Sequence, residues 1–335
     1  MSSASISMDT VSLRFKGEII FGNYSVLLGA DDERVIEAVT GWIDEDIAAC
    51  HQKGGEVKRT AMELQFYSNI EQRDISDPVR GEPTATFEDI EFYSGDDSTS
   101  LVIDGQTALD IDLRNNSARC LISREHMESP WILSHRVFYL PILEILRNIG
   151  AYYVHTGCLC MDDRCILLCG GSGHGKSTTT YSLARSGFSF MSDDAVFVQG
   201  RDGELEIFSF PEKIKLDAKS CSFFPELSNC QVPRGKAEIP LSDTGIKHVS
   251  VTGKPHALIL LERGENEKGE IVPISRSEAL LGLIRQSISL TIPSSIEPHL
   301  DILKQLCESS HTYRLKLGKD VSEAPRLVED ALNEV

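Results

Sequence analysis

Gly170-Gly171-Ser172-Gly173-His174-Gly175-Lys176-Ser177, with Thr178 behind it, is a complete G-x-x-x-x-G-K-S phosphate loop, and the short apolar run Cys165-Ile-Leu-Leu-Cys169 leads into it. Glycines at 170, 171, 173 and 175 let the backbone fold tightly round a polyphosphate, with N–H groups aimed at its oxygens and a helix N-terminus behind. In such a loop Lys176 would reach the β- and γ-phosphates, and the Ser177 hydroxyl would ligate Mg²⁺. The apolar run reads as a buried strand. Residues 177–185 read as a helix that stops before Gly187, a C-cap residue type.

Working outward, Cys158, Cys160, Cys165 and Cys169 fall on two expected strands joined by a turn at Asp162-Asp163. Their spacing invites a metal reading, but small apolar cysteines suit a packed sheet, and packing is the preferred reading. Downstream, Asp193-Asp194 is bracketed by two short apolar runs. Between Lys176 and Asp193 there is room for one helix and one returning strand, which sets the carboxylate pair beside the phosphates. Two adjacent like charges are costly without a cation or a proton, so one is expected to serve Mg²⁺ and the other to act as a base. A turn is the plainer reading of the pair; the phosphate loop upstream favours the chemical one, because phosphoryl transfer needs a cradle, a metal and a proton acceptor.

Composition sets the frame. The 335 residues allow two domains, and 41% hydrophobic content supports real cores. With 51 acidic against 33 basic residues the formal net charge is −18, which disfavours nucleic acid or an anionic membrane as a main partner. A polyanion must therefore be bound by local features. Nine cysteines without a C-x-x-C pair argue against a disulfide framework. No stretch approaches the roughly 18 apolar residues of a membrane span, and Met1-Ser-Ser-Ala-Ser-Ile-Ser-Met8 lacks the regions of a secretory signal, so a cytoplasmic location is expected.

The pattern predicts an α/β protein: an α+β N-terminal domain over 1–130, then a mixed-sheet P-loop domain with C-terminal helices over 131–335. Strands are expected in the first part at 10–15, 24–28, 62–67, 84–93, 101–103 and 108–113, with one helix over 31–50. Residues 131–149 read as a long apolar helix kinked or broken at Pro141. Further on, strands are expected at 205–210 and 257–261 and helices at 277–286, 296–307 and 322–333.

Taken together, Val154-His155, the loop at 170–177, Met191-Ser-Asp193-Asp194 and Lys254-Pro-His-Ala-Leu-Ile-Leu-Leu-Glu262 resemble HPr kinase/phosphorylase and its HPr-kinase-like relatives. The catalytic domain of that family is related to phosphoenolpyruvate carboxykinase. The resemblance spans about residues 145–290 and rests on order and spacing together. It implies a kinase core of that type using ATP and Mg²⁺, with Asp193 taking the proton of a substrate hydroxyl and His155 near the transferred phosphate. Asp194 would support the metal or the base, and Ser177 would bind Mg²⁺. The acceptor would be a serine-type hydroxyl on a protein, a peptide or a small molecule, and self-association is implied as well.

The chain departs from that pattern where the family carries Glu-Arg-Gly-Leu-Gly, since the corresponding region reads Ile214-Lys-Leu-Asp-Ala218 and Glu262-Arg-Gly264 comes later, after a strand. Only Lys254 loosely matches the family's basic loop residue. An ABC-type ATPase would need a Leu-Ser-Gly-Gly-Gln-type signature and a distant Asp-Glu, and has neither here. A nucleotide-binding regulatory module without transfer activity is the rival from another class, supported by the missing signature. His155, Ser177 and Asp193 together favour the enzyme, because a pure binding module needs no base.

Overall fold

The computed structural model describes residues 12–52, 59–70, 81–228, 230, 232, 235–264, 266–287 and 296–334. By contacts the chain forms two compact units, one of Met1–Trp42 with Lys58–Asn148 and one of Ile43–Val57 with Ile149–Val335. The boundary thus falls after Asn148 rather than at 130, and a short N-terminal segment belongs to the second unit.

The first unit carries β1 (Phe15–Phe21), β2 (Tyr24–Ala30), β3 (Thr60–Ile70), β4 (Ala85–Phe87), β5 (Ile90–Ser94), β6 (Ser98–Ile103), β7 (Thr107–Asp112) and β8 (Ser117–Ser123). They form one sheet in the order β1-β2-β3-β8-β7-β6-β5-β4. Only β2–β3 and β3–β8 are parallel pairs. The strand expected at 10–15 is displaced to Phe15–Phe21, and residues 10 and 11 lie outside the described residues. The single strand expected at 84–93 is a hairpin, with Glu88 at φ 53° in its turn. β8 follows the Asn115-Asn116 turn but is not among the strands given bounds above; its Ser117-Ala-Arg start masks the apolar run that follows.

Two helices replace the one expected over 31–50: Glu33–Trp42 and Glu45–Gln52. The cause is Asp44, whose Oδ1 accepts from the amides of Asp46 (3.1 Å) and Ile47 (3.0 Å) and so starts a new helix. The segment 130–148 is helical throughout, with a π-type stretch at Leu133–Phe138 ahead of Tyr139–Asn148. Pro141 has no N–H to offer the Val137 carbonyl, and that carbonyl accepts instead from the Cys120 thiol at 3.7 Å. The helix widens ahead of the proline rather than breaking.

The second unit contains β9 (Ala151–Val154), β10 (Gly157–Met161), β11 (Arg164–Cys169), β12 (Ser189–Ser192), β13 (Val196–Arg201), β14 (Glu204–Phe208), β15 (Ile214–Asp217), β16 (Lys236–Ile239), β17 (Thr252–Arg263), β18 (Glu270–Pro273) and β19 (His311–Leu317). Nine of them make a mixed sheet ordered β12-β10-β11-β17-β14-β13-β9, with β19 also on β17 and β18 on β19. β11, β17 and β19 run parallel at its centre. β15 and β16 stand apart as an antiparallel ribbon. The fold class is α/β with mixed sheets, as the sequence indicates.

Strand alternation sorts the core into two faces. Leu159, Ile166 and Leu168 pack with Tyr181 of the helix Lys176–Arg185 and Val328 of the helix Ala324–Asn333. Cys158, Cys160, Cys165, Leu167 and Cys169 face the opposite way, among Ala279, Leu283, Leu303 and Leu306 of the helices Arg276–Ser287 and Ile296–Glu308. Among the described residues no helix is long and apolar enough to cross a membrane.

Candidate active site

The Gly170–Ser177 loop sits between the buried end of β11 and the helix Lys176–Arg185. Gly173 (φ 78°) and Gly175 (φ 90°) adopt left-handed backbone, and a side chain on Gly175 would also meet Leu317 at 2.8 Å. The amide of His174 closes a turn onto the Gly171 carbonyl at 3.1 Å, and its ring Nδ1 lies 3.2 Å from the Leu261 carbonyl of β17. The loop is thereby tied to the neighbouring parallel strand. Lys176 is only 7% exposed, and its Nζ has no hydrogen-bond partner. Burial is the first cause pushing its pKa down to about 8.

A cavity of about 830 Å³ opens over the loop. His155, Gly171 to Thr179 and Ser220 line it, together with Asp217, Lys219, Lys236, Arg263 and Lys319. Five cations lining one cavity, Lys176 among them, stand out in a chain of net charge −18.

His155 follows β9, and its Nδ1 lies 3.3 Å from Asp194 Oδ1. Burial, then Lys176, lowers its pKa to about 4, so it is neutral near pH 7. The two aspartates follow β12 and have different surroundings. Asp193 is 3% exposed and accepts from the Lys215 amide at 3.2 Å. Burial first, and then the neighbouring Asp194, raise it to about 6. Burial also opposes charge on Asp194, but Lys215, His155, Lys236 and Lys176 outweigh it and hold that carboxylate below its usual range. Neither aspartate lines the cavity directly; His155 is the link between them and it.

Several residues here carried no sequence signal. Lys215 Nζ lies 2.7 Å from Glu212 Oε2 and 3.5 Å from Asp194 Oδ2. Burial raises Glu212 to about 7, while Glu212 and Asp194 lift Lys215 above its ordinary value against its own burial. The region in question was notable in the sequence only for a missing signature. Lys213, Lys215 and Asp217 alternate with Ile214 and Leu216, a run too short to read as a strand from the sequence. Lys236 Nζ donates to Ser177 Oγ at 3.2 Å, and Thr178 Oγ1 lies 2.6 Å from Ser220 Oγ.

Of the sequence candidates, the loop residues 170–178 and His155 lie at the cavity or on its approach, with Asp194 against His155 and Asp193 buried behind. The donors available for a Mg²⁺ ion, the Ser177 hydroxyl and the Asp194 carboxylate, are hard oxygens of the type that ion selects. The thiols of Cys158, Cys160 and Cys165 lie within 4.8 Å of one another on the other face of the sheet, with Cys160 and Cys165 directly paired across the hairpin.

No protein-family model matches the chain, and no curated protein matches it. Among solved structures it is similar to the HPr(Ser) kinase/phosphatase from Coxiella burnetii, with 14% identity over 54% of this chain and 97% of that one, at a TM-score of 0.31.

Proposed function

We propose that the second unit is an ATP-dependent phosphotransferase that moves the terminal phosphoryl group to a serine-type hydroxyl of a protein, a peptide or a small molecule. The observation that carries this reading is the buried, unpartnered Lys176 Nζ beside a cationic cavity at a helix N-terminus. A buried ammonium without a partner is costly, and a bound polyphosphate supplies the missing acceptor. The loop amides and the helix dipole add to the attraction for the same ligand.

In this reading Ser177 and Asp194 would hold Mg²⁺, which would neutralise charge on the phosphate oxygens. Asp193 takes the proton of the attacking hydroxyl. The new bond joins that oxygen to the γ-phosphorus, the bond from phosphorus to the β–γ bridging oxygen breaks, and ADP leaves. A carboxylate with a pKa near 6 suits a base working close to neutral pH. His155, neutral and joined to Asp194, orients the transferred group in this reading without adding positive charge.

The test is incubation with labelled ATP, Mg²⁺ and candidate acceptors for the wild type, Lys176→Ala and Asp193→Asn. Lys176→Ala is expected to lose nucleotide binding, and Asp193→Asn to bind nucleotide but turn it over at least about 100-fold more slowly. Undiminished turnover by Asp193→Asn would remove it as the base. ATP binding without turnover in the wild type, with every acceptor and with water, would favour a regulatory module.

A further inference from the structure

The ribbon of β15 and β16 has no part in the central sheet, yet it reaches the phosphate loop. Its register pairs Ile214 with Ile239 and Leu216 with Ala237, and all four are buried in the core shared with the loop helix. Because side chains alternate, the intervening pairs, Lys215 with Glu238 and Asp217 with Lys236, share the opposite face. One lysine on that face meets the acid pair, and the other meets Ser177.

The ribbon is fastened in that position. Asp217 Oδ1 accepts from the Ser220 amide at 2.7 Å, and the Ser220 hydroxyl lies 2.6 Å from that of Thr178 in the first turn of the loop helix. At the other end of the ribbon Asp44 Oδ2 accepts from the Leu241 amide at 2.7 Å. The base of Lys236 is thus fixed, while its side chain stays exposed and able to follow a ligand.

From this placement we propose that Lys236 is a ligand-contacting residue that recognises the terminal phosphate, making the cavity selective for nucleoside triphosphates over diphosphates. The inference rests on the nucleotide reading above and deepens it. Lys176 and the loop amides suffice for a β-phosphate. Lys236, 3.2 Å from the hydroxyl that would bind the nucleotide's Mg²⁺ in a loop of this kind, adds a second cation on the side where the extra charge of a triphosphate would enter. Ser177 then interacts with Lys236 when the cavity holds no nucleotide and is released when the terminal phosphate takes the ammonium.

The experiment is a fluorescence titration of the full-length protein with N-methylanthraniloyl derivatives of ATP and ADP, each with Mg²⁺ and in EDTA, for wild type, Lys236→Met and Lys236→Arg. Circular dichroism confirms that each variant is folded. Lys236→Met is expected to weaken ATP by about tenfold and ADP by less than about threefold, the loss of one charged hydrogen bond made only by the triphosphate. Lys236→Arg should recover most of the ATP affinity, and the difference should persist in EDTA. Equal loss for both nucleotides, or no loss, overturns the assignment of Lys236 and leaves the nucleotide reading intact. A wild type that binds neither nucleotide overturns the nucleotide reading and Lys236 recognition with it.

Discussion

At the residue scale the decisive group is Lys176. Its charge is buried without a partner, so the folded chain holds that proton less tightly than the unfolded chain does. Between pH 8, its folded value, and the ordinary lysine value of 10.5, the unfolded state binds more protons than the folded one. Stability from this group therefore rises as the pH rises through that window. The expected result is that the wild type gains on Lys176→Met by up to about 3 kcal/mol between those limits in urea titrations. If ATP binds as proposed and pairs with the ammonium, saturating ATP should flatten the difference. A constant gap between wild type and variant across the window would show that Lys176 is not strained. The carboxylates behind it illustrate how environment divides identical side chains: Asp193 is raised by burial and its neighbour, while Asp194 is kept ionised by the cations around it.

At the element scale, the structure turns on Asp44. It caps the helix Glu45–Gln52, its amide donates to the Pro211 carbonyl ahead of β15 at 2.8 Å, and its second oxygen holds Leu241 just after β16. Through its side chain and its amide, Asp44 thus clips a helix start to the Ile214–Ile239 end of the ribbon that carries Lys215 and Lys236. Asp44→Ala removes a cap and strands a buried amide, with an expected cost of about 2 kcal/mol in denaturant unfolding. A loss below about 0.5 kcal/mol would show that the clip is redundant. The cap pattern was present in the sequence, as an Asp three residues before the buried Ile47, but the apolar stripe over 35–47 reads as one helix and hides it. Two of the three central parallel strands are easier to recognise, because Ile166 to Leu168 and Ala257 to Leu261 are continuous apolar runs, whereas β19, which alternates Tyr313 and Leu315 with charged residues, is not among the expected strands. Ribbon strands of four residues have too few alternations to register.

At the scale of the whole molecule, the second unit is not a contiguous piece of chain. Ile47, from the N-terminal part of the sequence, is 1% exposed within the core built on β10, β11 and the loop helix. Ile47→Ala is expected to cost about 2 to 5 kcal/mol. Hydrogen exchange should show protection falling in β15, β16 and the helix Lys176–Arg185, while β5 to β8 of the first unit keep theirs. Loss confined to the first unit would contradict the division of the chain.

The sequence by itself determined the Gly-x-x-x-x-Gly-Lys-Ser motif, its flanking strand and helix, the α/β class and the short interval to the acid pair. These are local properties: glycine at left-handed positions, a Lys-Ser pair opening a helix, and apolar runs long enough to be buried act within a few residues of chain. Tertiary structure alone decided which cations face the loop, which aspartate is buried, where the units divide, and that Lys176 lacks a partner. Each of those depends on contacts between residues tens of positions apart, as Lys236 with Ser177 or Asp44 with Leu241. No spacing along the chain records such a meeting, because it is set by how the ribbon packs and not by the ribbon's own sequence.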